Sequence, residues 1–235
     1  PNSDTLVNEI LDQITLERGG NIIQRSNVTA AIKSFVALGI DPQDLKKLNL
    51  NVYIPVFEKP FLKRTEEYYK QYSADYLTTH SVTEYIFKAR EVISAEEKGM
   101  VIYWDEHTKK PLSETLNAVL ITQHAEELKA EFVTLLDSRE NAKISAVYNL
   151  MQRDITLLPE LANAYEEYIR KSGENEVSQL ISLQKAAITN GSEEGLQHNK
   201  KANLMALHSL SPKDYVKKLL EVYRTFRSMT NDCFL

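Results

Sequence analysis

Apolar residues return every three or four positions along nearly the whole chain, the spacing that places them on one face of an α-helix. Val7, Ile10, Leu11 and Ile14 form the first such face, and Gly19-Gly20 just beyond it is a stop signal. Val28, Ile32, Phe35 and Val36 form a shorter face that stops at Gly39, followed by a turn at Asp41-Pro42. Residues 40–60 are the least regular early segment. Phe61, Thr65, Tyr68, Tyr69, Tyr72 and Tyr76 then make an aromatic stripe, which predicts a helix whose rings bury against neighbours with hydroxyls at the edge.

Ser81 followed by Glu84 is a capping box, so a long helix is expected to begin there. Its buried side reads Val82, Tyr85, Ile86, Ala89, Ile93, Met100, Tyr103 and Trp104, with Gly99 marking a point of bending or breakage. From Leu112 a four-residue ladder runs through Leu116, Leu120, His124, Leu128, Phe132 and Leu136. A helix over about 142–170 carries Ile144, Val147, Tyr148, Met151, Ile155, Leu158, Ala162, Tyr165 and Ile169. Pro159 predicts a kink in it and Lys171-Ser172-Gly173 its end. Val177, Leu180, Ile181 and Ile188 suggest a further helix before a polar, aperiodic stretch at 190–203 that reads as a loop. The last helix has Ser211 as cap, Pro212 first and Asp214 third, and is expected to bury Tyr215, Leu219, Val222, Tyr223 and Phe226.

Composition adds limits to this all-α picture. With only 7 Gly and 7 Pro in 235 residues there is little loop material, and one or two compact helical units are expected. Lys and Arg number 28 against 33 acids, a formal charge of −5, which is no footprint for nucleic acid or for an anionic membrane. Cys233 is the only cysteine, so an internal disulfide and a multi-cysteine metal site are both excluded, and a reducing interior is the expected address. No apolar run reaches the roughly 18 residues of a membrane span, and a soluble protein is expected. The first residue is Pro, so the sequence reads as a piece of a longer protein. Between residues 197 and 227 there are seven Lys or Arg against two acids, a local charge of +5 that is either a solvated face or a patch for an acidic partner.

The candidate chemistry is thin. Asp105, Glu106 and His107 stand beside Trp104, but consecutive helical residues point about 100° apart and cannot share a metal ion. At the end of a helix a cationic imidazole is favourable on its own account, which gives His107 a structural reading. His124 lies on an apolar face and reads as a packing residue. His80, His198 and His208 complete the histidines without a metal-binding pattern. Gly-rich phosphate loop, Walker lysine, HExxH, GxSxG and DDxxD-like cluster are all absent. No catalytic, cofactor-binding or metal-ligating residue is assigned, and no cofactor is expected. Long amphipathic helices with short connections suit a stacked helical scaffold, though a tethering rod would have the same composition.

One segment is more specific. Residues 61–108, above all the YY, DYL and VTEY groups between Tyr68 and Tyr85, resemble the cullin family, and the likeness continues through 120–137, 147–153 and 214–226. Among cullins the wording is most similar to the type that organises SCF ubiquitin ligases. The resemblance implies an elongated stack of helical bundles from the N-terminal stalk, with 1–108 part of the second cullin repeat and 109–235 most of the third. It implies a non-catalytic scaffold located in cytoplasm and nucleus. The whole protein's partners would be an F-box adaptor, a RING protein and a cullin exchange factor, with no nucleic acid and no membrane. The family's adaptor and RING surfaces lie outside the matching region, so no binding residue is carried over. The chain departs from the family pattern around 174–205 and at Pro159.

Overall fold

The computed structural model describes residues 2–41, 44–48, 50–103, 105–190 and 212–234. The helices are α1 (Asn2–Arg18), α2 (Arg25–Ala37), α3 (Lys59–Thr79), α4 (Val82–Tyr103), α5 (Lys109–Leu120), α6 (Ala125–Ser138), α7 (Asn141–Met151), α8 (Leu158–Asn190) and α9 (Pro212–Phe234). A short antiparallel ribbon, β1 (Ile40–Asp41) with β2 (Asp44–Leu48), is the only sheet among the described residues, so the chain is all-α in architecture. It divides into two compact units. Residues 1–131 with 149–157 make the first, and 132–148 with 158–235 the second. Units defined by contact and repeats defined by family pattern are different divisions of the chain.

In the first unit the core is built on four-residue rows. Tyr53, Phe57, Phe61, Thr65, Tyr69 and Ser73 are all buried, one row running from a π-helical turn at Ile54–Glu58 into α3. The wider turn lies where the ring of Pro60 would crowd the preceding residues, and it keeps Phe57 in line with Phe61. Phe35, Phe57 and Phe61 stack with centroids 5.9 Å apart at each step. Against α3 packs α5, whose Leu112, Leu116 and Leu120 are also buried at intervals of four, the ridge that interdigitating helices present to one another. Thus the aromatic stripe is real but rotated: Tyr68, Tyr72 and Tyr76 are half-buried flanks of a row that ends on Ser73.

The capping box holds. The Ser81 amide donates to Glu84 Oε2 at 2.9 Å and the Glu84 amide donates to Ser81 Oγ at 3.2 Å. Helix α4 then runs through Gly99 without the expected break. Trp104 lies outside the described residues, as do the side chains of Met100, Tyr103 and Ile188. The ladder from Leu112 to Leu136 is buried throughout, but it spans two helices: Ile121, with φ −123°, ends α5, and a 3-10 turn at Thr122–His124 leads into α6.

Three expectations fail in the third quarter of the chain. Pro159 makes no kink; it is the second residue of α8, where a missing N–H costs nothing. Helix α7 ends at Met151, and the turn at Ile155–Leu157 resets the helical phase, leaving Ile155 75 % exposed while Leu157 and Leu161 take the buried positions. Gly173 does not end α8, which continues to Asn190, carried past the glycine by Arg170 paired with Glu167 at 2.9 Å and with Glu174 at 2.7 Å.

The second unit packs α9 on α8 and on the later part of α6. Phe226, Met229 and Cys233 are the buried positions of α9, whereas Leu219 and Tyr223, expected inside, are exposed. Tyr165 donates to the Phe226 carbonyl at 3.1 Å and Tyr168 to the Leu136 carbonyl at 3.0 Å, which fixes the helices' register. Helix α6 closes in a Schellman motif with Arg139 at φ 55°, a position that glycine usually fills. The start of α9 agrees with its Pro212 and Asp214 signals; Ser211 and the predicted loop from 191 onward lie outside the described residues.

Candidate functional site

The polar residues that follow Trp104 do not lie at the end of a helix. Asp105 is extended and caps the 3-10 turn Glu106–Thr108, accepting from the His107 amide at 3.0 Å, and that turn feeds α5. These residues therefore open a helix and do not close one, and the favourable-imidazole argument for His107 is corrected: acids, not cations, suit this end. His107 Nδ1 lies 2.9 Å from Glu58 Oε2, an oxygen that also accepts from Thr108 Oγ1 at 2.7 Å. Tyr53 shares a 2.7 Å hydrogen bond with Thr108, and burial pushes its phenol up to about 12. Glu58 is buried; spending its carboxylate on two donors ties the π-helical turn to the start of α5. The Thr108 hydroxyl thus joins Tyr53 to the Glu58 carboxylate in one buried hydrogen-bonded row.

A second polar centre lies under α1. Arg18 donates from Nε to Glu96 Oε1 at 2.8 Å, and from Nη2 to Glu96 Oε2 and to Thr65 Oγ1, each at 2.9 Å. Its guanidinium sits within 5.5 Å of the ring centroids of Phe61, Tyr68 and Tyr69. Tyr69 donates to Glu96 Oε1 at 2.5 Å. Burial works against the charge on Arg18, yet the Glu96 carboxylate more than offsets it and the guanidinium is held more firmly protonated than usual. One fork-to-fork pair thus joins α1, α3 and α4.

The third centre is His124. Its Nε2 lies 3.0 Å from Ser73 Oγ, which in turn donates to the Lys70 carbonyl, so Nε2 carries the proton. The ring packs edge-on against Tyr85 at 5.3 Å. Nδ1 is the one buried side-chain polar atom without a hydrogen bond among the described residues, with Glu127 Oε1 4.0 Å away. Burial lowers the affinity of His124 for a second proton, and Glu127 only partly offsets this. The native state therefore prefers neutral imidazole, and this contribution to stability is complete above the ordinary histidine value of about 6.5 and is lost as pH falls below it. Urea unfolding at pH 7.5 and 5.5 is expected to show wild type weakening on acidification more than His124→Gln does; equal pH dependence would remove the burial argument.

Of the residues weighed from sequence, His107 and His124 each contact a partner that sequence did not reveal, Glu58 and Ser73. Glu58 carried no assignment from sequence, and Arg18, Glu96 and Ser73 received no role although a signal existed. Arg18 follows Ile14 by four, Ser73 follows Tyr69 by four, and Glu96 follows Ile93 by three, so each polar residue stands in phase with an apolar face. Among the described residues no group of three or more His, Cys, Asp or Glu is placed to hold a metal ion, and no described helix is long and apolar enough to cross a membrane.

In the first unit most interior polar groups tie neighbouring amphipathic helices together, which defines a helical packing module. Comparison with known proteins agrees. The family described as the Cullin alpha solenoid domain matches residues 1–235. Cell division control protein 53 of Saccharomyces cerevisiae is 61 % identical over 234 residues, covering 100 % of this chain and 28 % of that protein. Cullin-1 of Schizosaccharomyces pombe is 30 % identical over 98 % of the chain and 28 % of its own length. Cullin-1 of Dictyostelium discoideum is 29 % identical over 100 % of the chain and 27 % of its own length. The chain belongs to the cullin family, and it spans less than a third of the length of these relatives.

Proposed function

We propose that this chain is a scaffold segment of an SCF-type cullin-RING ubiquitin ligase, which holds a substrate receptor and a RING-bound conjugating enzyme apart at fixed geometry. The observation that carries this reading is the 61 % identity to cell division control protein 53 along the entire chain. Supporting it, the buried acids and bases of the first unit are bound to one another and brace helices. A fixed separation raises the effective concentration of substrate at the transferring enzyme, which a loose tether would dilute. In this reading residues 1–108 belong to the second cullin repeat and 109–235 to the third, the segment performs no catalysis itself, and the whole protein works in cytoplasm and nucleus. Its partners are an F-box adaptor, a RING protein and a cullin exchange factor. Affinity capture of the full-length parent protein is expected to recover the adaptor and the RING protein together; capture of neither would end the proposal.

A second reading, recruitment of an acidic regulator, is favoured by α9. Val216, Leu219, Leu220 and Tyr223 form an exposed apolar row beside Lys217, Arg224 and Arg227, which have no ion pair among the described residues. Lys218, by contrast, is occupied by Glu176 and Glu221. Charge reversal at Lys217 and Arg224 with unchanged regulator affinity would exclude it.

A further inference from the structure

The first unit contains a cleft of about 440 Å³ between α1, α3 and α4, within the size range of ligand-binding pockets. Its walls mix the rings of Tyr68 and Tyr72 with Ile14, Val92 and Ala95. The two tyrosines stack at 6.3 Å, offering a flat apolar surface with hydroxyls that have no hydrogen bond among the described residues. The charged lining balances except for one unit. Arg18 pairs with Glu96, Arg25 with Glu17 and Lys88 with Glu91, and Lys98 is left without an ion pair among the described residues.

Arg18 adds a directional donor to this surplus. Nε and Nη2 are spent on Glu96 and Thr65, while Nη1 has no hydrogen bond and is not sealed from solvent. The residue itself is 6 % exposed and lines the cleft. A cleft-lining guanidinium held rigid by one carboxylate, with an Nη1 that makes no hydrogen bond, is preorganised for a second acceptor. Burial keeps the Tyr68 and Tyr72 phenols protonated, so they too can donate.

We infer that this cleft docks a peptide carboxylate, namely a partner segment in which one Asp or Glu side chain adjoins a bulky apolar side chain. The single unpaired cation calls for one negative charge, which a carboxylate supplies and a phosphate dianion exceeds. The stacked tyrosines and the aliphatic wall take the neighbouring apolar group, and Tyr and Arg are the residue types that most often anchor such contacts. Arg25 and Lys98 stand exposed at the mouth, where the flanking backbone of a peptide would pass.

The test uses the full 235-residue chain, isotope-labelled for backbone amide shifts, and a blocked tetrapeptide Ac-Gly-Glu-Phe-Gly-amide as probe. Saturable shifts are expected at the amides of Tyr68, Tyr72, Lys98 and Gly99, with the Gln-for-Glu peptide and the Lys98→Glu variant each weaker by about tenfold. Tyr72→Phe, which keeps the ring and the fold, is expected to bind about threefold more weakly. Lys171→Glu, in the second unit, is the control and stays within about twofold of wild type. Absence of shifts in the cleft, equal binding of the Gln peptide, or wild-type affinity in Lys98→Glu would overturn the proposal. So would 3-phenylpropionate binding as tightly as the peptide, which would assign the cleft to a small monocarboxylate.

Discussion

Replacing Tyr85 and Ile86 together by Asp is expected to unfold the first unit. Each side chain is 1 % exposed, so each substitution places a carboxylate where no cation waits. An unpaired buried charge costs several kcal/mol even after relaxation, and the lost apolar burial adds about 1.5–3 kcal/mol per residue. Two such sites consume most of the roughly 5–15 kcal/mol by which a domain is stable. Tyr85 also donates to the Leu120 carbonyl at 2.8 Å, the acceptor at the end of α5. Tyr85→Phe removes that hydrogen bond alone and is expected to cost about 1 kcal/mol. Circular dichroism should show loss of helix and of a cooperative transition in the double Asp variant, with Tyr85→Phe melting a few degrees below wild type. If the proposed scaffold function holds, transfer to substrate should fail in a ligase rebuilt with the double variant while the RING protein is still bound. A melt within about 2 °C of wild type would mean that α4 is not the support that its burial indicates.

How much of this could be read beforehand depends on what each residue reports. Helix existence was readable almost everywhere because period is a local property. The Ser81-Glu84 box and the Pro212-Asp214 start were readable because the groups that satisfy a helix end sit within one turn of it. Phase was lost where a short irregular turn intervenes: the turn at Ile155–Leu157 moves the buried row of α8 onto Leu157 and Leu161, and no apolar spacing announces it. Residues 40–60 looked the least regular early segment, yet Tyr53 and Phe57 keep step with Phe61 through a π turn. The end of α6 was hidden because Arg139 adopts a conformation that glycine usually signals.

The polar centres were harder to see, since a partner 27 to 78 residues away leaves no mark on local spacing. His107 was assigned a helix end from sequence and received a carboxylate instead, Glu58, from a segment that had no assigned structure. Only the family likeness supplied functional content, and it did so through a run of residues, YY to VTEY, that are now seen to form the Tyr69 end of the Arg18 cage and the Tyr85 contact with His124.

Arg18→Met should be the most damaging single change of a charged residue in the first unit, at about 3–5 kcal/mol, because it leaves Glu96 buried with its counter-ion gone. Glu96 has a side chain 12 % exposed and would keep only the Tyr69 hydroxyl as a donor. The same tie can be removed more gently from both ends. In Arg18→Met with Glu96→Gln the buried charge disappears, the amide oxygen still accepts from Tyr69, and the thioether fills the space among Phe61, Tyr68 and Tyr69. The double variant is therefore expected to regain about 2 kcal/mol or more of the single variant's loss, a coupling visible in a double-mutant cycle of urea midpoints. Strict additivity of the two changes would show that solvent, not Arg18, neutralises Glu96. If the coupling is found, α1, α3 and α4 are held in register by an ion pair whose loss leaves a charge stranded rather than a gap, which gives the first unit an all-or-none arrangement of three helices.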